Sequence, residues 1–144
     1  MELSEGDRSE VNLRHRRVIR LNLLILEETM AEVERLIGAE GEGILRRRRN
    51  PLSTATRQEL LDRIEQVRRT LVELKDSFGF AVEEQDVTRM IRALLSHQWT
   101  VLCDTESRRL RGYGEPAPEL AARLDPSIAK LIRLVEGMEA CLVR

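Results

Sequence analysis

Aromatic residues are scarce in this sequence, and neither sign of charge dominates. Aromatic side chains make up 3% of the residues, which leaves little material for stacking on the bases of a single-stranded nucleic acid. The net charge is −1, whereas a dedicated nucleic-acid-binding domain is strongly basic. These two shortages argue against a nucleic-acid partner.

Cysteines and long apolar runs are also in short supply. Cys103 and Cys141 are the only cysteines, too few for a disulfide framework. Both lie beside apolar helical positions, so we expect buried free thiols. No apolar run approaches the length of a membrane span, and the polar N-terminus lacks the apolar segment of a signal peptide. We therefore expect a cytoplasmic protein without a membrane span.

Charged and apolar residues together supply the material for a folded helical protein. The 144 residues are 34% charged and 42% hydrophobic, a balance that favours a solvated helical fold over disorder. This length fits one domain that buries about two thirds of its unfolded surface. We expect a single helical-bundle domain over residues 1–144, with residues 1–8 as a flexible N-terminal tail.

The clearest helix pattern spans residues 56–78. Its apolar side chains follow one another in alternating steps of four and three, which places them on one face of a helix. They are Leu60, Ile64, Val67, Leu71, Leu74 and Phe78. Thr56 and Glu59 have the spacing of a capping box at the start. Gly79 directly follows the stripe, where a glycine in the left-handed conformation closes a helix.

An earlier helix is predicted to begin with Ser9 as its N-cap and to carry the same alternation. Its stripe consists of Ile19, Leu23, Leu26, Met30, Val33 and Ile37. Further apolar residues widen this stripe in the middle, namely Val18, Leu21, Leu24 and Ile25. A turn that is apolar all round indicates cover on more than one side, by other helices or by a second subunit.

A glycine-rich segment follows this helix. Gly38, Gly41 and Gly43 each cost a helix about 1 kcal/mol, so we expect the helix to end or bend here. The alternative is a helix that continues with Glu40 on its apolar face. The pair Asn50-Pro51 then ends any helical segment, because the residue before proline is disfavoured in the α region.

Two more helices are predicted in the second half of the chain. The third covers about residues 83–111, with a stripe of Val87, Ile91, Leu94, Val101 and Leu102 and with Met90 and Leu95 beside it. A short helical piece over residues 118–124 precedes the last helix, for which Asp125 is the predicted N-cap and Pro126 the first residue. The last stripe is Ile128, Leu131, Val135, Met138 and Leu142.

Four amphipathic helices without a convincing strand predict an all-α fold. The economical architecture is an antiparallel four-helix (up-down) bundle with a short extra helical turn before the last helix. No internal repeat or low-complexity tract suggests anything else.

Metal and cofactor sites have no support in the residue pattern. A di-metal site in a bundle needs Glu-x-x-His on two helices, and neither His15 nor His97 has a glutamate three residues upstream. The glycines match no phosphate-binding loop. We therefore expect no metal and no cofactor.

A polar pair interrupts the apolar arc of the third helix. Gln98 and Thr105 occupy positions where a bundle normally has leucine or isoleucine, and Glu40 is a possible companion. Buried polar groups are stable only when paired. Two interpretations stay open: structural hydrogen bonding, or a binding pocket for a small polar ligand at Gln98, Thr105 and Glu40.

The segment from Arg92 to His97 has an Arg-x4-His spacing. This spacing resembles the motif of HEPN-domain ribonucleases, small all-α proteins that tend to dimerise around a shared RNA cleft. The resemblance covers six residues and implies that Arg92 positions phosphate and that His97 performs acid-base chemistry on a 2′-hydroxyl. The alternative is a solvated arginine and a packed imidazole, because a five-residue step turns the two side chains about 140° apart on a helix.

Arg46, Arg47, Arg48 and Arg49 form the longest basic run in the chain. One interpretation is a solvated helix end, where cations complement the negative end of the helix dipole. The other is a basic patch that binds phosphate groups of nucleic acid or acidic lipid.

The whole pattern favours a non-catalytic helical-bundle protein that acts by self-association or by binding a protein partner. We expect a homodimer, since the widened stripe of the first helix leaves apolar surface for another chain. The alternatives are a ligand-binding bundle with a polar pocket near Gln98 and Thr105, and a HEPN-like ribonuclease that uses Arg92 and His97.

Overall fold

The structure is a computed structural model that describes the backbone of residues 5–143 and the side chains of residues 13–143. Its four long helices are α1 (Glu5–Ile37), α2 (Thr54–Phe78), α3 (Val87–Cys103) and α4 (Pro118–Cys141). A short 3-10 helix, Ser107–Tyr113, precedes α4. The predicted all-α fold, with helix-helix contacts and a short extra helical segment before the last helix, is confirmed.

Contacts divide the chain into two compact units, Met1–Val82 and Glu83–Arg144. Each unit is built on a helical hairpin, α1–α2 in the first and α3–α4 in the second. The extent of a single domain over residues 1–144 stays a prediction. No helix in the described part of the chain is long and apolar enough to cross a membrane.

In the first unit the predicted stripes of α1 and α2 form the contact between the two helices. Ile37 of α1 and Ile64 of α2 are buried, the latter with 4% of its surface exposed. The helices run antiparallel: Arg16, early in α1, donates from Nη2 to the Gly79 carbonyl at 3.3 Å, and Arg68 of α2 pairs with Glu34, late in α1. The stripe residues are therefore the buried and partly buried residues of this contact, as predicted, except Ile19 and Phe78, which are exposed.

The start of α2 differs from the prediction. The N-cap is Ser53, whose Oγ accepts a hydrogen bond from the Thr56 backbone nitrogen at 3.1 Å. Thr56 and Glu59 therefore form no capping box, and Glu59 instead pairs with Arg63 at 3.2 Å. The prediction was wrong because a second hydroxyl lies upstream and caps an earlier turn equally well. At the other end Gly79 has φ 66°, which confirms the left-handed closure.

The start of α1 also lies earlier than predicted. This helix begins at Glu5, so Ser9 is a helical residue and the prediction that it is the N-cap was wrong. Part of the predicted flexible tail, residues 1–4, lies outside the described residues.

The predicted end of α1 at the glycine-rich segment is confirmed. The helix stops at Ile37, whose carbonyl accepts a hydrogen bond from Asn50 Nδ2 at 2.7 Å. Between these two residues the chain forms a small antiparallel hairpin of β1 (Gly41–Glu42) and β2 (Arg47–Arg48). The continuous helix through Glu40 is therefore excluded. The two short strands were not expected from the sequence.

In the second unit both helices start and end at other residues than predicted. The N-cap of α3 is Asp86, whose side chain accepts from the Thr88 backbone nitrogen at 2.9 Å. Asp125 is no N-cap, because α4 already begins at Pro118. Its carboxylate instead accepts hydrogen bonds from Ser107, at 2.9 Å from the backbone nitrogen and 2.7 Å from Oγ. This pair ties the 3-10 helix to α4.

Candidate functional site

The predicted core stripe of α3 is exposed in the second unit. The partly buried positions of α3 are Thr88, Leu95 and Leu102, spaced by seven residues, and Cys103 at its end. Four stripe residues and the neighbouring Met90 lie to one side of these positions, and each is between 39% and 70% exposed; the four are Val87, Ile91, Leu94 and Val101. The prediction that the stripe forms the core was therefore wrong for most of its residues, because the partly buried positions follow a different line along the helix.

Three residues of α4 extend this exposed surface, namely Leu131, Leu134 and Met138. On each helix, the exposed apolar residues lie about 90–100° around the helix axis from the buried ones. Viewed from the N-terminus of each helix, the rotation has the same direction. Because α3 and α4 are antiparallel, both sets point to the same side of the hairpin. We call these eight residues of α3 and α4 the apolar face. All eight are at least 39% exposed, whereas the exposed apolar residues of an ordinary surface are scattered singly.

A polar contact holds the other side of the same hairpin. Trp99 Nε1 donates a hydrogen bond to Glu136 Oε1 at 3.1 Å. Helical phase places both residues opposite the apolar face. The bond therefore joins α3 to α4 on the side away from the apolar face.

The three proposed ligand residues differ in their surroundings. Gln98 is exposed and lies within the apolar face, between Leu94 and Val101. Thr105 is partly buried, and its hydroxyl donates to the Val101 carbonyl of its own helical turn at 2.7 Å. Glu40 is exposed and belongs to the first unit. The expected buried arc around Gln98 was therefore wrong, and ligand binding by these residues stays a prediction.

Arg92 and His97 are both exposed on α3. Arg92 faces solvent as expected, but His97 is not packed beside a core, because its neighbours Met90 and Val101 are themselves exposed. The five-residue step separates the two side chains around the helix. Among the described residues no group of three or more side chains is placed to hold a metal ion.

The cysteines are less buried than predicted. Cys103 is partly buried, and Cys141 is exposed near the end of α4. Both are free thiols, as expected. The prediction of burial failed because the face of α4 that carries Cys141 has no helix packed on it within the second unit.

The basic run forms part of the small hairpin. Arg46, Arg47, Arg48 and Arg49 are all exposed. The expectation of a solvated helix end was wrong, because α1 already stops at Ile37. Arg47 pairs with Glu42 across the strands at 3.0 Å. The Arg35 guanidinium, with a smaller contribution from Arg48, holds the pKa of the Glu32 carboxyl below its ordinary value.

Two apolar residues form the tip of this hairpin. Ile44 is 99% exposed and Leu45 is 98% exposed. The sequence analysis assigned them no function. The sequence feature that could have identified them is their position between the glycine-rich segment and the arginine run. Neither flank offers an apolar surface on which they could pack.

The first unit contains an open groove of about 470 Å³ between α1 and α2. Leu23, Leu26, Leu71 and Leu74 supply apolar walls, and Gln66 and Thr70 lie among them. The groove contains no cluster of titratable or nucleophilic groups. We read it as an imperfect fit of the two helices.

Comparison of the chain with protein-family models, with curated proteins and with solved structures finds no match.

Proposed function

We propose that this protein is a non-catalytic helical protein that acts by self-association, as a homodimer joined through the apolar face of α3 and α4. The observation that carries the proposal is the exposure of this face on a helical hairpin whose opposite side is held by a polar contact. Two copies related by a twofold axis would cover both faces and complete a four-helix arrangement.

The buried surface of the chain supports the same conclusion. The buried hydrophobic residues are Ile37, Ile64, Ile128 and Val135 among the described side chains. The exposed large hydrophobic residues include all eight of the apolar face. Exposed apolar surface of this kind is a mark of proteins that bury it against another chain.

Gln98 has a natural role in such an interface. A single polar residue within an apolar contact fixes the register of two helices at a cost in stability. Gln98 lies between Leu94 and Val101 on the apolar face, so it would meet the partner's α3 or α4. Its amide would then act in pairing the two copies rather than in binding a ligand.

The test is the mass of the protein in solution. We expect sedimentation equilibrium at micromolar concentration to give a dimer for the wild type and a monomer for Leu94→Glu. Ala93→Glu is the matched control, because Ala93 is the exposed neighbour on the same helix and lies outside the apolar face. It should stay dimeric, and circular dichroism should show unchanged helix content in both variants.

Two results would contradict the proposal. One is a wild type that is monomeric at every concentration tested. The other is a Leu94→Glu variant that melts at a lower temperature without any change in mass, because the face would then be covered within one chain.

The alternatives receive no support from a specific contact. A ribonuclease site would need Arg92 and His97 to meet at one cleft, and a ligand pocket would need Gln98 and Thr105 to enclose a cavity. The cytoplasmic location stays a prediction.

A further inference from the structure

The β-hairpin of β1 and β2, in the connection between α1 and α2, combines an apolar tip with an excess of positive charge. Residues 41–49 contain four arginines and one glutamate, so the net charge is +3. Among the described side chains only Arg47 of this run forms an ion pair. Arg46 and Arg49 therefore have their charge available to a partner, directly beside the exposed Ile44 and Leu45.

The turn itself does not require apolar residues at its tip. Gly43 donates from its backbone nitrogen to the Arg46 carbonyl at 2.8 Å, which leaves Ile44 and Leu45 as a two-residue loop. Neither tip residue has a positive φ, so the backbone of the turn accepts almost any side chain there. Glycine is needed at position 43, because a Cβ there would lie 2.8 Å from the Arg46 oxygen. Isoleucine and leucine at the tip serve no purpose within the hairpin.

The hairpin is also held in place at its base. Asn50 Nδ2 donates to the Ile37 carbonyl at the end of α1, and Asn50 Oδ1 accepts from the Leu52 backbone nitrogen at 3.2 Å. The end of α1 and the start of α2 are thereby joined through one side chain. The tip is presented to solvent from a fixed base.

We propose that this hairpin, with Ile44 and Leu45 at its tip and Arg46, Arg48 and Arg49 beside them, docks on the surface of an anionic phospholipid membrane. Aliphatic side chains insert into the boundary between headgroups and acyl chains, and adjacent arginines bind the headgroup phosphates. A projecting tip suits a fluid surface, because a protein partner would need a pocket of matching shape.

Nucleic acid fits the same residues less well. Its phosphates would attract the arginines, but base stacking uses aromatic side chains, and the tip has none. Ile44 and Leu45 would stay exposed beside a phosphate backbone. The two partners therefore make different demands: a membrane uses both the tip and the arginines, and a nucleic acid uses the arginines alone.

The experiment is sedimentation of the full chain with vesicles of phosphatidylcholine, with and without phosphatidylserine as the minor lipid. We expect binding to the anionic vesicles and little to the neutral ones. The double variant Ile44→Ser with Leu45→Ser should weaken binding tenfold or more, by an order-of-magnitude estimate from the lost apolar transfer. Arg46→Gln with Arg49→Gln should weaken it about fivefold for each arginine.

Matched controls come from α2 of the same unit. Val72→Ser removes an exposed aliphatic side chain outside the hairpin, and Arg63→Gln with Arg69→Gln removes two exposed arginines. Each control should bind like the wild type. Insertion is followed directly with Leu45→Trp, whose emission should shift to the blue on anionic vesicles, while Val72→Trp should not. Trp99 is the only natural tryptophan, so the wild type supplies the baseline.

Three outcomes would overturn the proposal. The first is no binding to anionic vesicles. The second is binding that the tip variant leaves unchanged, which would make the attraction purely electrostatic. The third is tighter binding to a labelled RNA or DNA duplex than to vesicles, with sensitivity to the arginine variant alone. None of these outcomes depends on the oligomeric state, so failure here is distinguishable from failure of the homodimer.

Discussion

The α1–α2 hairpin and the α3–α4 hairpin use their apolar stripes differently. In the first hairpin the stripe of each helix faces the other helix, and Ile37 and Ile64 are buried there. In the second hairpin Ile128 and Val135 of α4 are buried, while most of the predicted stripe of α3 is exposed. An apolar stripe therefore predicts that a face will be covered, but it does not identify the element that covers it.

The first test of this comparison exchanges isoleucine for alanine at a buried and an exposed position. Ile64→Ala should lower the free energy of unfolding by about 2–5 kcal/mol, because it removes buried methylene groups and leaves a cavity. Ile91→Ala should lower it less when the protein is dilute, because Ile91 is 39% exposed and Ile64 only 4%. Urea unfolding followed by circular dichroism measures both. Equal losses at low concentration would show that Ile91 is part of a core.

The second test concerns the contact that is peculiar to the α3–α4 hairpin. Hydrogen bonds from the Ser107 backbone nitrogen and hydroxyl hold the pKa of the Asp125 carboxyl below its ordinary value of 3.8. A depressed carboxyl pKa contributes stability above the unfolded pKa, and this contribution is lost as the pH falls through the lower, folded value. We expect these hydrogen bonds to raise the melting temperature at neutral pH. This increase should be lost in acid, below about pH 4.

Variants at Asp125 separate this contribution from general acid denaturation. Asp125→Ala should lower the melting temperature at pH 7 because buried Ser107 loses its acceptor, and the loss should shrink in acid. Asp125→Asn keeps an acceptor oxygen without the titration, so its effect should lie between those of the wild type and the alanine variant. A pH-independent loss in Asp125→Ala would mean that the carboxylate charge contributes nothing.

The third and smallest effect is expected at Gln98. Because this side chain is exposed in the single chain, Gln98→Leu should change the unfolding free energy of dilute protein by less than about 0.5 kcal/mol. In the proposed dimer the same change should tighten association, since the amide no longer has to be desolvated. Sedimentation equilibrium across a dilution series measures the dissociation constant. Weaker association would show that Gln98 forms a hydrogen bond across the interface.

Local sequence patterns predicted the helix ends correctly where only one residue or segment could form the end. The closure at Gly79 and the end of α1 before the glycine-rich segment follow from backbone properties of glycine itself. The N-caps failed where two candidates were close together: Ser53 and Thr56 carry the same hydroxyl chemistry, and only packing of the preceding segment decides between them. Asp125 failed for a related reason, because its carboxylate has a tertiary partner in Ser107.

The candidate surfaces were harder to predict, because exposure depends on which helix packs where. Most residues of the apolar face were predicted to lie on or beside an apolar stripe, although Leu134 was not. The pattern of a stripe does not distinguish a core from an interface. The tip at Ile44 and Leu45 was missed because two adjacent apolar residues without a helical or strand period carry no pattern to interpret. Only the hairpin geometry shows that both side chains are left in solvent.

The hairpin organisation of each unit has a consequence for the order of events during folding. α1 pairs with α2 and α3 with α4, so every helix packs on its neighbour along the chain and the loops to be closed are short. Low contact order of this kind is associated with folding in microseconds to milliseconds. Pairing of two copies is instead a second-order reaction. Stopped-flow refolding should therefore show a fast phase independent of protein concentration, followed by a slower phase whose rate rises in proportion to it.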